Sequence, residues 1–494
     1  MLSFPEINWN ILIPQAALAS AGFFLLLVAV FYRGPGAGKG PARVGAVLSL
    51  FGLAVSACMT AYQWESVSSD LGGLLRIDPF STFFNLLILA GAILCVLISV
   101  REAGGLRHLA GEYYALLIFA TLGMIVMVSA ADLLVVFIGL ETMSLSVYIL
   151  VGSRRTEAAG NEAALKYFLM GAFASGFLIY GIAFLYGVTG TTKFELLAAG
   201  LQGNSPGALT LTALGLVLVG FLFKISAVPF HMWVPDAYEG APTPITAYMA
   251  VAVKAAAFGV ILRLLTVGFM PLSEYWLPVM WTLAVATMIL GNLAAIFQSN
   301  LKRMLAYSSI AHAGYILVAL ASIDPNSGAF GDDPALISAV FYLVVYTVMN
   351  AGAFAVLIYL GHLGRPMETL EEVRGTGFRY PLLGAAMAVF MFSLAGLPPT
   401  GGFLGKFYIF SAAVQRGFVG LAVIGVLNSA VSVYYYLRVT VQMYMRESEE
   451  SLPALPFSFP LSLTLAVTVW GVLQLGVIPS SLLEAAGRAV LFLR

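Results

Sequence analysis

Charged residues are scarce in this sequence. Only 10% of its 494 residues are Asp, Glu, Lys or Arg, whereas 60% are hydrophobic. In a soluble globular protein about a quarter of all residues are charged. This composition therefore excludes a soluble fold and predicts a chain surrounded mainly by lipid. The 24 basic and 24 acidic residues give a formal net charge of zero, which excludes a basic face for nucleic acid and an acidic tail for a basic partner.

Cysteine is nearly absent. Cys58 and Cys95 lie inside apolar runs with no Cys or His at metal-ligand spacing, so no disulfide framework or metal site is predicted and both are interpreted as small core residues. There is also no CxxC motif, no haem-type histidine pair and no dinucleotide-binding glycine pattern, so no redox cofactor is expected in this chain. The segment GPGAGKG at 34–40 fails the phosphate-loop pattern and is interpreted as a flexible linker.

Long apolar runs are abundant. A membrane-spanning helix needs roughly 20 apolar residues, and runs of that length predict an all-α polytopic membrane protein, one integral membrane domain over 1–494. The fourteen predicted spans are 11–32, 42–64, 78–100, 112–130, 132–152, 163–187, 208–233, 241–267, 276–297, 302–322, 335–362, 379–416 (interrupted), 418–445 and 457–479. Because Glu6 precedes the first span and a basic N-terminal region is lacking, that span is expected to be a retained helix.

Lys and Arg are unevenly distributed between alternate loops. The loops after odd-numbered spans contain Arg33, Lys39, Arg43, Arg101, Arg107, Arg154, Arg155, Lys302, Arg303, Arg365, Arg374, Arg379 and Arg446. The loops after even-numbered spans contain Arg76, Lys193 and little else. The positive-inside rule then predicts that the odd-numbered loops are cytoplasmic and that both termini lie outside.

Ionisable residues within the spans are few, since an ionised side chain at the bilayer centre costs roughly 2.5 to 3.5 kcal/mol. Four of the seven lysines are there, Lys166, Lys224, Lys254 and Lys406, whereas the seventeen arginines are nearly all in loops or near span ends. A desolvated lysine can release its proton and an arginine cannot, so this distribution indicates proton transfer. Glu141 is the only acid deep in a span, and a lysine of another span is its expected partner.

Several candidates also have a purely structural interpretation. Lys166 has an acid one turn before it, so an ion pair at the interface is an equal alternative. Lys302 and Arg303 open a span and can extend to the headgroups. His312, ten residues deeper, is either a satisfied core histidine or a relay step. His231 lies seven residues after a lysine, on the same face only if that helix is straight.

Proline and glycine interrupt three predicted spans. Pro229 and Pro235 lie in the seventh, a second proline pair starts or breaks the eighth, and LAGLPPTGGFLGKF at 394–407 breaks the twelfth. Such breaks are tolerated in a membrane only where protein or water satisfies the freed carbonyls. A hydrated interior is therefore expected beside Lys224 and Lys406, each of which adjoins a break.

The two lysine-bearing breaks lie five spans apart, which indicates an internal inverted repeat. The predicted repeats cover about 112–267 and about 276–445, flanked by helices at 11–100 and 457–479. A pathway for protons or cations between the repeats is the function that this arrangement favours.

Five segments carry a resemblance to a known family. They are GLETMSLSVYIL (139–150), NEAALKYFLMGAFASGFLIYG (161–181), FKISAVPFHMWVPDAYEGAPTPITAYMAVAVKAAAF (223–258), NLKRMLAYSSIAHAGYILV (300–318) and LAGLPPTGGFLGKFYIF (394–410). In them the chain resembles the antiporter-like subunits of respiratory complex I and their relatives in multisubunit Na⁺/H⁺ antiporters. It is most similar to the N-type subunits, because it lacks the long C-terminal helix of the L type and has Lys406 where the M type has Glu.

The resemblance implies a bacterial plasma-membrane subunit of NADH:quinone oxidoreductase that moves protons while redox chemistry occurs in other subunits. It implies a Glu141–Lys224 pair, a central Lys254 with His312 nearby, and Lys406 on the outer half-channel. M-type and K-type neighbours, lipids and a hydrophilic arm with flavin and iron–sulfur clusters are the expected partners, with no cofactor or quinone site in this chain. The alternative is a subunit of a multisubunit Na⁺/H⁺ antiporter; a passive scaffold is a weaker one, since unpaired buried lysine destabilises a protein.

Overall fold

Apolar helices make up most of the chain. The computed structural model describes residues 9–31, 40–70, 72–106, 109–203, 205–327, 330–361, 367–447 and 454–493. The helices before residue 241 are α1 (Trp9–Phe31), α2 (Gly40–Tyr62), α3 (Pro79–Gly105), α4 (Ala110–Ser129), α5 (Leu133–Val151), α6 (Ala158–Thr189), α7 (Phe194–Leu201), α8 (Ala208–Ile225) and α9 (Trp233–Gly240). An antiparallel hairpin of β1 (Ser68–Asp70) and β2 (Leu75–Ile77) joins α2 to α3.

The eighth span is continuous but contains two π-helical turns. It consists of α10 (Thr243–Tyr248), a π-helical turn (Met249–Val253), α11 (Lys254–Arg263) and a second π-helical turn (Leu264–Gly268). The proline pair starts this span and does not break it, because the second proline occupies the first helical turn, where its missing N–H has no helical partner to lose. Turns of π type are frequent at functional sites, and nothing in the sequence predicted these two.

The rest of the chain contains nine more helices in the described ranges. They are α12 (Ser273–Ile296), α13 (Leu301–Ala321), α14 (Pro334–Leu360), α15 (Thr376–Arg379), α16 (Pro381–Ala395), α17 (Gly401–Gln415), α18 (Val419–Met445), α19 (Phe459–Val477) and α20 (Ser480–Val490). Short 3₁₀ turns at Met270–Leu272 and Phe330–Asp332 precede α12 and α14.

The predicted all-α polytopic membrane fold is confirmed. Among the described residues, 13 helices are long and apolar enough to cross a membrane. The predicted twelfth span is additional, because it is divided into α16 and α17 of 15 residues each. The hairpin, α7 and α20 were not predicted. The predictions for Glu6 and for 34–39, and the loop positions Arg33, Lys39, Arg107 and Arg365, lie outside the described residues.

The core lies among the helices of the centre. The eighth span and α13 are each 94% buried along their most apolar stretch, whereas α1 and α6 are 33% buried. A helix that is apolar all round belongs in the interior of a bundle or against lipid, and α1 and α6 leave apolar faces that the described residues do not cover. Cys95 is buried as predicted, but the same prediction for Cys58 is wrong, because it lies on an outward face of the peripheral helix α2.

Glycines bring the helices of the candidate site into close contact. A Cβ on Gly139 of α5 would lie 2.8 Å from the backbone oxygen of Gly123 of α4. Likewise, a Cβ on Gly291 of α12 would lie 2.6 Å from the backbone nitrogen of Ala311 of α13. Small residues permit such backbone approach between membrane helices. These two contacts fix α5 and α13, the helices that carry Glu141 and His312.

Candidate functional site

Lys224 lies at the C-terminal end of α8, where the seventh span is interrupted. The helix ends one residue later, at Ile225, because Ser226 has a left-handed backbone (φ 67°). The Lys224 side chain is only 2% exposed, and its Nζ donates to Ser144 Oγ at 2.7 Å and to Tyr148 Oη at 3.1 Å, both on α5. This cation is therefore held by neutral hydroxyl groups.

Glu141 does not form the expected ion pair with Lys224. Its Oε1 accepts a hydrogen bond of 2.5 Å from Ser175 Oγ of α6, whereas the amine bonds to Ser144 and Tyr148. Three residues of helix separate Glu141 from Ser144, which is about 4.5 Å along the axis. The acid and the amine are thus satisfied by different hydroxyl groups.

Lys254 is the first residue of α11, directly after the first π-helical turn. It is 2% exposed, and its Nζ donates a hydrogen bond of 2.6 Å to the backbone oxygen of Ser309 on α13. The ring of Tyr346 lies 6.0 Å away. No described acidic residue forms an ion pair with Lys254.

His312 lies one turn after Ser309 on α13 and is held between two tyrosines. Its Nδ1 is 2.5 Å from Tyr342 Oη, and its Nε2 is 2.9 Å from Tyr436 Oη. Tyr436 also hydrogen-bonds to Ser308. Because a phenol can donate or accept, both ring nitrogens are satisfied in more than one protonation pattern. The interpretations as a core histidine and as a relay step therefore both fit this geometry.

Lys406 of α17 occupies the break of the twelfth span. Its Nζ donates to the backbone oxygens of Leu394 at 2.9 Å and Ala395 at 3.0 Å, and to Ser429 Oγ at 3.0 Å. The two carbonyls are available because α16 ends at a left-handed Gly396. The interruption of the helix thus supplies acceptors for the buried amine.

A cavity of about 740 Å³ between α17 and α18 reaches Lys406. Apart from Lys406 and a few small polar residues such as Ser429, its walls are apolar and include Phe407 and Val423. Both of these apolar side chains are exposed on the outside of the chain. Lys406 therefore borders a cavity whose wall includes residues on the outside of the bundle.

Lys166 lies outside the buried group. Its side chain is 45% exposed and forms ion pairs with Glu162 at 2.7 Å and Asp236 at 3.0 Å. Arg303 joins the same cluster through Asp236 and Glu239. Partial burial alone would raise the pKa of Asp236, but its hydrogen bonds to Lys166 and Arg303 lower this pKa overall. Of the two interpretations of Lys166, the local ion pair is the one observed.

Lys302 and His231 are separate from the central lysines. Lys302 is 3% exposed and donates to the backbone oxygen of Ala241 at 2.8 Å and to Glu368 at 3.1 Å, so it does not extend to the headgroups. His231 lies between α8 and α9, and its buried Nδ1 has no hydrogen-bond partner among the described residues. Because α8 ends at Ile225, His231 does not share a helix face with Lys224.

Sequence reasoning missed the neutral partners and one buried ion pair. Tyr342, Tyr436 and Ser144 are ordinary residues of apolar helices, and only their position beside a charged residue gives them a role. Arg263 donates to Asp78 at 2.5 Å, with both side chains almost fully buried. The available signal for this pair was an arginine near the C-terminal end of an otherwise apolar span.

A family model described as NADH:quinone oxidoreductase/Mrp antiporter, transmembrane, matches residues 130–432. The chain belongs to this family. The matched range contains every candidate residue proposed from the sequence: Glu141, Lys166, Lys224, His231, Lys254, Lys302, His312 and Lys406.

Relatives of the same family match nearly the whole chain. NADH-quinone oxidoreductase subunit N of Trichlorobacter lovleyi is 47% identical over 99% of this chain and 98% of that protein. A chain of respiratory complex I from Thermus thermophilus with bound aureothin has a TM-score of 0.80 and 36% identity, covering 96% of this chain and 99% of that one. A chain of the Mrp complex from Dietzia sp. has a TM-score of 0.83 at 22% identity, covering 98% and 97%, and shares the fold.

Proposed function

We propose that this chain is a proton-translocating, antiporter-like membrane subunit of an NADH:quinone oxidoreductase of the complex I type. The observation that carries the proposal is a set of three buried amines, Lys224, Lys254 and Lys406, whose hydrogen-bond partners are all neutral. Unlike arginine, lysine can exist in both protonation states within a protein. An amine without a carboxylate partner can therefore accept and release a proton without breaking an ion pair.

The proposed path runs from Glu141 and Lys224 through Lys254 and His312 to Lys406. Lys254 bonds to Ser309, which is one turn of α13 from His312. Lys224 is held by Ser144 and Tyr148, while Glu141 bonds to Ser175, so a proton on the amine is stabilised by neutral hydroxyl groups. Moving one charge against 100 mV requires about 2.3 kcal/mol, which is comparable with a hydrogen bond to a charged group, about 1.5 to 3 kcal/mol.

Peripheral residues are assigned roles at the ends of this path. Protons are proposed to approach from the loop side past three of them: Lys166, His231 and Lys302, the last of which is paired with Glu368.

The proposed inverted repeats at about 112–267 and 276–445 are supported by one likeness: α8 and α16 both end in a left-handed residue beside a buried lysine.

The proposed assembly places the chain in a bacterial plasma membrane with both termini outside. M-type and K-type subunits and lipids are its neighbours, and a hydrophilic arm holds the flavin and the iron–sulfur clusters. A subunit of a multisubunit Na⁺/H⁺ antiporter is the second candidate, because the matched family description includes Mrp antiporters. In that case the same residues would exchange cations without a redox partner.

Co-purification separates the two candidates. The tagged chain is extracted in mild detergent and assayed for flavin and for NADH:quinone reductase activity. Co-migration of both supports the complex I assignment. Isolation with small membrane subunits that lack flavin but catalyse Na⁺/H⁺ exchange in vesicles would refute it.

A variant tests the role of the central lysines. Lys224→Ala should abolish proton pumping coupled to NADH oxidation while the complex still assembles, because the first amine of the path is removed. Lys193→Ala is the matched control, since Lys193 lies outside the spans and its amine bonds, among the described residues, only to the backbone oxygen of Gly72. Undiminished pumping per electron in Lys224→Ala would contradict the assigned role.

A further inference from the structure

A groove between α2, α3 and the start of α19 combines an apolar wall with two arginines. It has a volume of about 640 Å³, and Arg43 and Arg101 both line it. Arg43 lies near the beginning of α2 and Arg101 near the end of α3. Because consecutive spans cross the membrane in opposite directions, the two guanidinium groups lie at the same end of the groove.

The rest of the groove is suited to an acyl chain. Val47 and Leu50 of α2 and Leu97 of α3 line it. Leu50 is seven residues from Arg43, which is about 10 Å along the helix, so the apolar wall extends over several methylene groups. Phe457 forms part of the rim and is 78% exposed, as expected for an aromatic residue at the membrane interface.

The charge of the groove has one sign. None of the described residues that line it is acidic. Arg101 also lines the neighbouring cavity, where Glu102 and Glu157 both form ion pairs with Arg154. Arg43 is exposed and makes no hydrogen bond or ion pair with a described residue. Its guanidinium therefore has donors available for an external anion.

We propose that this groove binds one anionic phospholipid. The phosphate lies on Arg43 and Arg101, and one acyl chain lies along Val47, Leu50 and Leu97. Guanidinium groups form strong paired hydrogen bonds with phosphate, and basic residues at the headgroup level attract anionic lipids. The groove lies outside the family-matched residues 130–432, so the lipid site does not depend on the proposed ion path.

The test measures lipid binding to the purified full chain by native mass spectrometry. The probes are phosphatidylglycerol and phosphatidylcholine with identical acyl chains. The unaltered chain should prefer phosphatidylglycerol, and R43Q/R101Q should bind it roughly thirtyfold more weakly. R155Q is the matched control, because Arg155 is an exposed arginine that lines the neighbouring cavity only; its binding should be unchanged.

Two further variants make the proposal specific. Val47→Trp fills the apolar part of the groove without changing its charge and should also weaken phosphatidylglycerol binding. A photoreactive amino acid at position 50, in the assembled membrane complex, should capture a phospholipid. Equal binding of the two lipids, unchanged binding by R43Q/R101Q, or capture of another polypeptide in place of lipid would each overturn the proposal.

Discussion

The two ends of α11 carry buried cations in opposite electrostatic situations. Lys254 begins the helix and bonds to a single backbone oxygen, whereas Arg263 ends it and is ion-paired with Asp78. Both residues are at most 3% exposed. Replacing each by Met retains an unbranched side chain and removes the charge. We expect Lys254→Met to maintain or raise stability and Arg263→Met to lower it strongly.

The magnitudes follow from the partners. Removing Lys254 forfeits one hydrogen bond to a charged group, about 1.5 to 3 kcal/mol, but also removes a desolvation penalty of several kcal/mol. The expected net change is from zero to about 3 kcal/mol of added stability. Removing Arg263 leaves the buried Asp78 with one remaining counterion, Arg76, whose Nε lies 3.1 Å from Asp78 Oδ2, so the cost is at most about 3 to 5 kcal/mol. The two variants therefore differ by up to roughly 8 kcal/mol in free energy of unfolding.

The assay compares thermal unfolding of the purified complex containing each variant, together with pumping in vesicles. Lys254→Met should unfold at or above the temperature of the unaltered complex and yet fail to pump protons. Arg263→Met should unfold well below it. If Lys254→Met were as destabilised as Arg263→Met, Lys254 would be a structural residue, and the inference from its neutral surroundings would be refuted.

Three other changes test neighbouring features. Tyr436→Phe should reduce pumping more than reductase activity, because it removes the partner of His312 Nε2. Tyr113→Phe is the control, because Tyr113 is equally buried and its hydroxyl donates to Ser99; an equal effect of both would exclude a specific role. Ser226→Gly should stabilise the complex by about 1 kcal/mol, measured by thermal unfolding, because it relieves a left-handed residue and removes a buried hydroxyl without a described partner. The lowered pKa of Asp236 stabilises the folded protein at pH values above the unfolded pKa near 3.8, and this contribution should be lost as the pH falls through the lower folded pKa. The check is unfolding as a function of pH: Asp236→Asn should lack this acid-dependent loss of stability, and an acid-unfolding profile identical to that of the unaltered complex would contradict the assignment.

The spans were predictable from the sequence because backbone polar groups in lipid must be satisfied within each segment. Run length alone therefore located the helices, and Pro229 and the segment at 394–407 located the breaks. The pairing of Arg263 with Asp78 was not predictable, since these residues are 185 positions apart and meet only through helix packing. The two π-helical turns had no sequence signal at all.

The partner of Lys224 shows where pattern reasoning fails at the site itself. Glu141 was the natural choice because it is the only acid deep in a span, but the amine bonds to Ser144 and Tyr148 on the next two turns of α5. The axial position of α5 depends on its close contact with α4 at Gly139. If α5 shifted by one helical turn, Lys224 would face a carboxylate in place of a hydroxyl group. No pattern in a single sequence reports the axial position of a helix to that precision.

The three central amines share one structural cause. Lys406 bonds to carbonyls that the end of α16 leaves free, Lys224 lies in the last turn of α8, and Lys254 follows a π-helical turn. Irregular backbone thus accompanies each buried amine, and at Lys406 it supplies the acceptors directly. Neutral acceptors can stabilise an ammonium without fixing it as an ion pair does. The same interruptions that cost helical hydrogen bonds therefore permit charge at these positions without a permanent carboxylate, which is the condition that reversible protonation requires.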